Sequence, residues 1–261
     1  MGEYTKVNNG ISMRKIIKTI KRFFKGLYIR FQEKEYEGRL HYIYENNHAD
    51  KLMIVFSGFS PYKPMYNYMR TLKNVKSIDK LFLLDDFGYR GSYYLMENGK
   101  DTPKQLVTEL VKTIVGGGNF KELFTMGTSK GGTCAIYFGL QFHATHIFSG
   151  ACQYLIANYL NTEDRKPILE GMLGKGYSEK DYSNLNDAVR VQIEKHQGTE
   201  TIIHLLFSKQ EHTYPEHIKY LLEDLEKWNI PYTAQIEPFE NHDDVGRYFI
   251  PYIKKEISKI L

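Results

Sequence analysis

LFTMGTSKGGTCAIYFGL, residues 123–140, decides how this chain is read. It opens with apolar, β-prone residues, passes through a serine between glycines, and ends in a small-residue run that suits a helix. A strand–turn–helix of this kind presents Ser129 at a sharp corner. Gly127-Thr128-Ser129-Lys130-Gly131 satisfies G-x-S-x-G. In that pattern the serine backbone is strained, and side chains at the flanking positions would collide with neighbouring segments. A phosphate-cradling loop needs G-x-x-x-x-G-K-[ST]. Here Lys130 follows the serine and precedes the glycines, which does not fit. A plain structural turn is the remaining alternative, so the surrounding chain matters.

Outward from this stretch, strand-like and helix-like segments alternate. RLHYIYEN and KLMIVFSGF read as strands joined by NNHAD as a hairpin-type connection. MYNYMRTLKNV reads as helix, KLFLLDDF as strand, PKQLVTELVKTIV as helix and THIFSGA as strand. Residues 153–198 are helical and polar with glycine breaks, the natural place for a cap or lid. ETIIHLLFS and YTAQIEPF are strands, PEHIKYLLEDLEKWN is helix, and DDVGRYFIPYIKKEISKI closes the chain as helix. Alternation of this kind predicts one α/β domain over 39–261, with a mostly parallel sheet and helices on both faces. The unbroken apolar runs LMIVF and IIHLLF suit strands buried on both sides.

Length and composition narrow the function classes. The chain has 261 residues and a formal charge of +4. Seven basic residues and no acidic one fall between Ser12 and Arg30, which leaves the rest at −3. The body is therefore mildly acidic, and no nucleic-acid-binding module is recognisable. Residues 1–11 read as a flexible end. Residues 12–30 read as a basic amphipathic helix, with Ile16, Ile17, Ile20, Phe23, Phe24 and Leu27 on one face. It could lie on an anionic membrane surface or pack against its own domain or a partner protein. No apolar run is long enough to span a bilayer, and no secretion signal is evident. Cys134 and Cys152 sit in apolar segments and read as buried thiols, suiting a cytoplasmic protein that is peripheral to the inner membrane face at most.

A serine hydroxyl is a weak nucleophile without a base. PFENHDDVGRY places His242 in the loop between the last strand and the last helix, where it can reach the corner at Ser129. Asp243 and Asp244 suit the start of that helix. The acid should follow the penultimate strand, where KQEHTYPEH offers Glu211, 82 residues after Ser129 and 31 before His242. Asp181 and Asp187 are rivals in the cap region. An oxyanion site needs two backbone N–H donors. Lys130 supplies one directly after the serine. VFSGFSPY supplies the other, with Gly58 permitting close approach and Phe59 or Ser60 as donor. Asp86, Arg90 and Tyr93, in the loop of another strand end, are candidates for substrate contact. No metal-ligand spacing is present.

The strand–GTSKGG–helix, KQEH and NHDD together resemble the α/β-hydrolase superfamily, over about residues 39 to 260. FSGF, GTSKGG and the spacing of Ser129, Glu211 and His242 are similar to bacterial surface-glycan O-acetyltransferases of the meningococcal capsule and accessory Sec types. That resemblance implies acetyl-CoA as acyl donor, no tightly bound cofactor, and a polysaccharide or glycoprotein acceptor. Glutamate stands where the family more often has aspartate. Two alternatives stay open, an esterase or deacetylase of the same fold and a non-catalytic scaffold whose working part is the basic helix.

Overall fold

The computed structural model describes residue 29, residues 31–60 and residues 62–260. The expected flexible end and, Ile29 apart, the expected helix over 12–30 lie outside the described residues. An eight-stranded sheet has the order β1 (Glu33–Tyr36), β2 (Leu40–Glu45), β4 (Asp79–Leu83), β3 (Lys51–Val55), β5 (Glu122–Thr128), β6 (His146–Gly150), β7 (Ile202–Phe207) and β8 (Tyr232–Ile236). The β1–β2 and β2–β4 pairs are antiparallel, and all other neighbours are parallel.

Successive side chains of a strand enter opposite faces. Leu52 and Ile54 of β3 join one core, with α2 (Thr102–Gly117), α3 (Lys130–Gln141), α7 (Ala188–Lys195) and α8 (Lys219–Lys227) packed on it. Met53 and Val55 join the other core, beneath α1 (Met69–Leu72) and α9 (Val245–Ile260). Both faces of the central strands are thus covered, which is why LMIV has no polar alternation. Between β6 and β7 run α4 (Ile156–Leu160), α5 (Lys166–Leu173), α6 (Glu179–Asn186) and α7. Of these, α7 packs on α3 and α8 as a crossover helix does, while α4 packs on α5 and α6.

The hairpin between β2 and β3 does not form, because β4 lies between them. The polar connection instead binds the start of β4. Asp79 Oδ1 accepts the N–H groups of Asn47 at 2.8 Å and Ala49 at 3.1 Å, and Asn47 Nδ2 donates to the Ile78 carbonyl at 2.7 Å. Side chains that satisfy a crossing backbone look, in sequence, like those of a tight turn. Edge strand β1, EKEY, has no apolar alternation to announce it, and its residues are exposed or half-buried. MYNYMRTLKNV yields only the single turn of α1.

Two histidines are held neutral inside this scaffold. His204 of β7 is buried, and burial, then the neighbouring His146, lowers its pKa from 6.5 to about 4. His146 Nδ1 lies 2.9 Å from His204 Nε2. Burial, then His212, likewise lowers buried His217 to about 4. An unfolded chain takes up these protons below about pH 6.5, whereas the folded one resists until about pH 4. Stability is therefore full above that window and falls as the pH descends through it, by a few kcal/mol per group at most. Urea midpoints at pH 7.5 and 5.0 check this: the wild type should lose more between them than His204→Gln.

Candidate active site

The chain leaves β3 toward β4 on one side and β5 toward β6 on the other. The crevice at the carboxyl ends of β3 and β5 is therefore the topological switch point, where open α/β sheets place their sites. Ser129 stands there, between β5 and α3, with φ 54° and ψ −127°. A non-glycine residue pays about 1–3 kcal/mol for such a conformation and keeps it only where its surroundings impose it. The surroundings do so. A Cβ on Gly127 would come within 2.3 Å of the Gly131 backbone, and one on Gly131 within 2.6 Å of the Phe56 carbonyl oxygen. Helix α3 can come this close to β5 and to the end of β3 only without those carbons. Gly127→Ala should therefore destabilise the protein by about 3 kcal/mol. A urea midpoint like that of wild type would contradict this account of the corner.

Ser129, His242 and Glu211 come together from three loops far apart in sequence. His242 Nε2 lies 2.7 Å from Ser129 Oγ, and His242 Nδ1 lies 2.9 Å from Glu211 Oε1. His242 begins a 3₁₀ turn, His242–Asp244, that leads into α9, as the sequence suggests for Asp243 and Asp244. The Glu211 side chain is fully buried, and the Thr213 hydroxyl donates to its other oxygen. Burial alone would raise the carboxyl. Hydrogen bonds from His242 and Thr213, with the charges of His242 and His212, outweigh it and hold Glu211 below its ordinary value. An ionised Glu211 keeps the Nδ1 proton of His242 on its own side and leaves Nε2 to accept a proton from Oγ. Asp181 instead closes the capping box of α6 with Ser178, and Asp187 pairs with Arg190.

His212 adds a second imidazole, with Nε2 3.1 Å from Glu211 Oε1. Sequence spacing does not suggest a metal site. Among the described residues, Glu211, His212 and His242 nonetheless bring ligand atoms within 4.8 Å of one another. Glu211 Oε1 accounts for that proximity, lying 2.9 Å from His242 Nδ1 and 3.1 Å from His212 Nε2.

The oxyanion donors separate by position. Lys130 is the first residue of α3, so its N–H has no partner within the helix and sits at the positive end of the helix dipole. Gly58 and Phe59 line the same cavity as Ser129. The Gly58 N–H donates to Asn67 Oδ1 at 3.1 Å and is therefore already engaged. A Cβ at Gly58 would meet the Thr128 carbonyl oxygen at an ordinary 3.6 Å, so close approach does not require glycine there.

The three substrate-contact candidates have different fates. Arg90 lines the cavity, and its buried Nε has no hydrogen-bond partner among the described residues. Asp86 does not line it; the carboxylate pairs with Arg39 and His41 across the sheet edge. Tyr93 is fully buried, its ring packed edge-on against Phe59 and its hydroxyl donating to Gln153 Oε1 at 3.4 Å. Both are corrections, and the reason is shared. Neighbouring residues of one loop face different directions, which composition does not reveal.

The cavity measures about 490 Å³, a size that suits a small-molecule site. Asn67 and Tyr68 line it, as do Tyr159, Asp164, Arg165 and Ile168 from the segment between β6 and β7. Arg90 and Arg165 could hold anionic groups of a ligand. Sequence reading missed these residues, along with buried Gln153, whose Nε2 donates to Ser129 Oγ at 2.8 Å. It also missed buried Asp85, which pairs with Lys130 Nζ at 2.5 Å. No local pattern announces any of them. Cys134 and Cys152 are buried free thiols, and burial pushes Cys152 up to about 11 and Cys134 higher still, so neither is a reactive thiolate.

No sequence-family model matches the chain, and no curated protein matches it. Solved structures do. The capsule O-acetyltransferase of Neisseria meningitidis serogroup A superposes with a TM-score of 0.75 at 24% identity, covering 87% of this chain and 94% of that one. A fluorophosphonate-binding serine hydrolase of Staphylococcus aureus superposes with a TM-score of 0.60 at 19% identity, covering 84% and 90%. The glycosylation-associated protein complex of Streptococcus agalactiae gives a TM-score of 0.66 at 16% identity, covering 87% of this chain and 46% of that one. The chain has the α/β-hydrolase fold.

Proposed function

We propose that this protein is a serine-dependent acyl-transfer enzyme that moves an acetyl group from acetyl-CoA to a hydroxyl of a bacterial surface glycan. The observation that carries the reading is the hydrogen-bonded series Ser129 Oγ, His242 Nε2, His242 Nδ1 and Glu211 Oε1, at the wall of a cavity of about 490 Å³. Ser129 attacks the acyl carbon as its proton passes to His242 Nε2. The N–H groups of Lys130 and Phe59 receive the oxyanion. The thiol leaves with the proton from His242. An acceptor hydroxyl then gives its proton to the same nitrogen and attacks the ester on Ser129.

The donor class is supported by the serogroup A capsule acetyltransferase, of which a histidine-to-alanine variant has been solved with CoA. The buried Nε of Arg90, unpartnered among the described residues, and the guanidinium of Arg165 suit its phosphates. The likeness to a serine hydrolase favours a second reading, in which water is the acceptor. Incubation with labelled acetyl-CoA, with and without capsular polysaccharides, separates the two. Label should enter an alkali-sensitive ester on the polysaccharide. Release of free acetate at a rate indifferent to every acceptor would favour the esterase.

None of the described helices is long and apolar enough to cross a membrane. In this reading the basic segment 12–30 docks the enzyme to an anionic membrane or a partner protein. Removing residues 1–30 should then abolish vesicle or partner binding while turnover persists.

A further inference from the structure

We infer that Gln153 is a further catalytic residue: its amide N–H stabilises the Ser129 oxygen as leaving group when the acyl-enzyme breaks down. This rests on the acyl-enzyme reading above. Gln153 is fully buried, yet its Nε2 lies 2.8 Å from Ser129 Oγ. It therefore reaches Oγ from the protein interior and leaves the cavity side open for an acyl group.

The donor and acceptor roles are set by counting protons. Ser129 Oγ has one proton, and the base His242 Nε2 at 2.7 Å takes it as acceptor. Whatever else faces Oγ at hydrogen-bond distance must then donate, so the Gln153 amide presents Nε2. Its Oε1 in turn accepts from the Tyr93 hydroxyl. The backbone is clamped as well. The Gln153 N–H donates to Thr133 Oγ1, and that hydroxyl donates back to the Gln153 carbonyl, both at 2.9 Å. The preceding strand end is tied to the corner by the Ser129 N–H, which donates to the Gly150 carbonyl at 2.8 Å. This amide is preorganised on Oγ.

The consequence follows from what Oγ carries in each state. In the resting enzyme Oγ is a hydroxyl that already accepts the Gln153 bond. In the acyl-enzyme it is an ester oxygen, a poor acceptor. When the acceptor hydroxyl has attacked and lost its proton to His242 Nε2, the bond between Oγ and the acyl carbon breaks. The electron pair returns to Oγ, and the proton on Nε2 follows it. Negative charge develops on Oγ, and hydrogen bonds to charged oxygen are about twice as strong as neutral ones. Only a gain from ground state to transition state accelerates a step. Gln153 gains most in deacylation and little in acylation, where the resting hydroxyl already has the bond.

The test uses the full chain with Gln153→Leu, which keeps the volume and removes the donor, and Gln153→Glu, whose carboxylate cannot donate. Three quantities are read: the rate of fluorophosphonate labelling of Ser129, steady-state p-nitrophenyl acetate turnover, and the acetyl-enzyme fraction by intact mass. In both variants labelling should stay within about threefold of wild type while turnover falls about tenfold or more, and acetyl-enzyme should accumulate. Equal losses of labelling and turnover in both variants would reduce Gln153 to holding the corner in place and overturn the proposal. Unchanged turnover would overturn it too. Wild type that resists labelling would instead sink the acyl-enzyme reading beneath it. Gln153→Met repeats the measurement if leucine prevents folding.

Discussion

Ser129→Ala should lower kcat/KM by about 10⁴-fold or more and abolish fluorophosphonate labelling, with the urea midpoint essentially retained. The Oγ atom is the centre of the site: it takes the His242 base on one side and the Gln153 amide on the other. His242→Ala should cost about as much, and the double variant little more, because serine and base act as a unit. Glu211→Gln isolates the acid. An amide in place of the carboxylate can turn its NH₂ toward Nδ1 and select the wrong imidazole tautomer, for a loss of about 10³- to 10⁴-fold. Full labelling of Ser129→Ala at another residue would overturn the assignment of the nucleophile. Glu211→Gln with wild-type turnover would leave His242 without an acid.

Lys130→Met should destabilise the fold by about 3–5 kcal/mol, the largest expected effect on stability. Both partners of the Lys130–Asp85 pair have fully buried side chains. Asp85 also accepts the Ser92 N–H through both carboxylate oxygens, at 3.0 and 2.8 Å, and the Tyr94 N–H at 3.3 Å. The ammonium lies 5.3 Å from the Phe59 ring centroid and 5.0 Å from that of Tyr94. One ion pair thus ties the corner at Ser129, the loop after β4 and the loop of Phe59 together. Methionine removes the ammonium and strands a carboxylate in the interior, where desolvation dominates. Lys130→Met combined with Asp85→Asn should recover much of the loss, since the amide still accepts the two N–H groups and no charge stays buried. A single variant that loses less than about 1 kcal/mol, by urea denaturation, would show the pair to be dispensable.

Much of the proposed site was legible because it rests on local chemistry repeated at strand ends. GTSKGG is a contiguous corner: Gly127 is demanded by the Gly131 backbone four residues on, while Gly131 is demanded by the Phe56 carbonyl at the end of β3. His242 and Glu211 occupy loops after β8 and β7, and in a parallel sheet those loops emerge at the same edge as the loop after β5. Their order along the chain therefore carried information about their meeting in space. Asp86 and Tyr93 were misread because the loop after β4 turns between them, sending one to the sheet edge and the other inward.

By itself the sequence determined the alternation of strands and helices, the burial of the central strands and the corner at Ser129, since hydrophobic period and the clash between Gly127 and Gly131 act over a few residues. Strand order, the place of β4 between β2 and β3, the clamp of Gln153 on Ser129 and the Lys130–Asp85 pair were decided only by tertiary structure. Those contacts join residues 24 to 45 positions apart or more. Their partners are selected by packing geometry and by the need to satisfy buried polar groups, neither of which leaves a periodic trace along the chain.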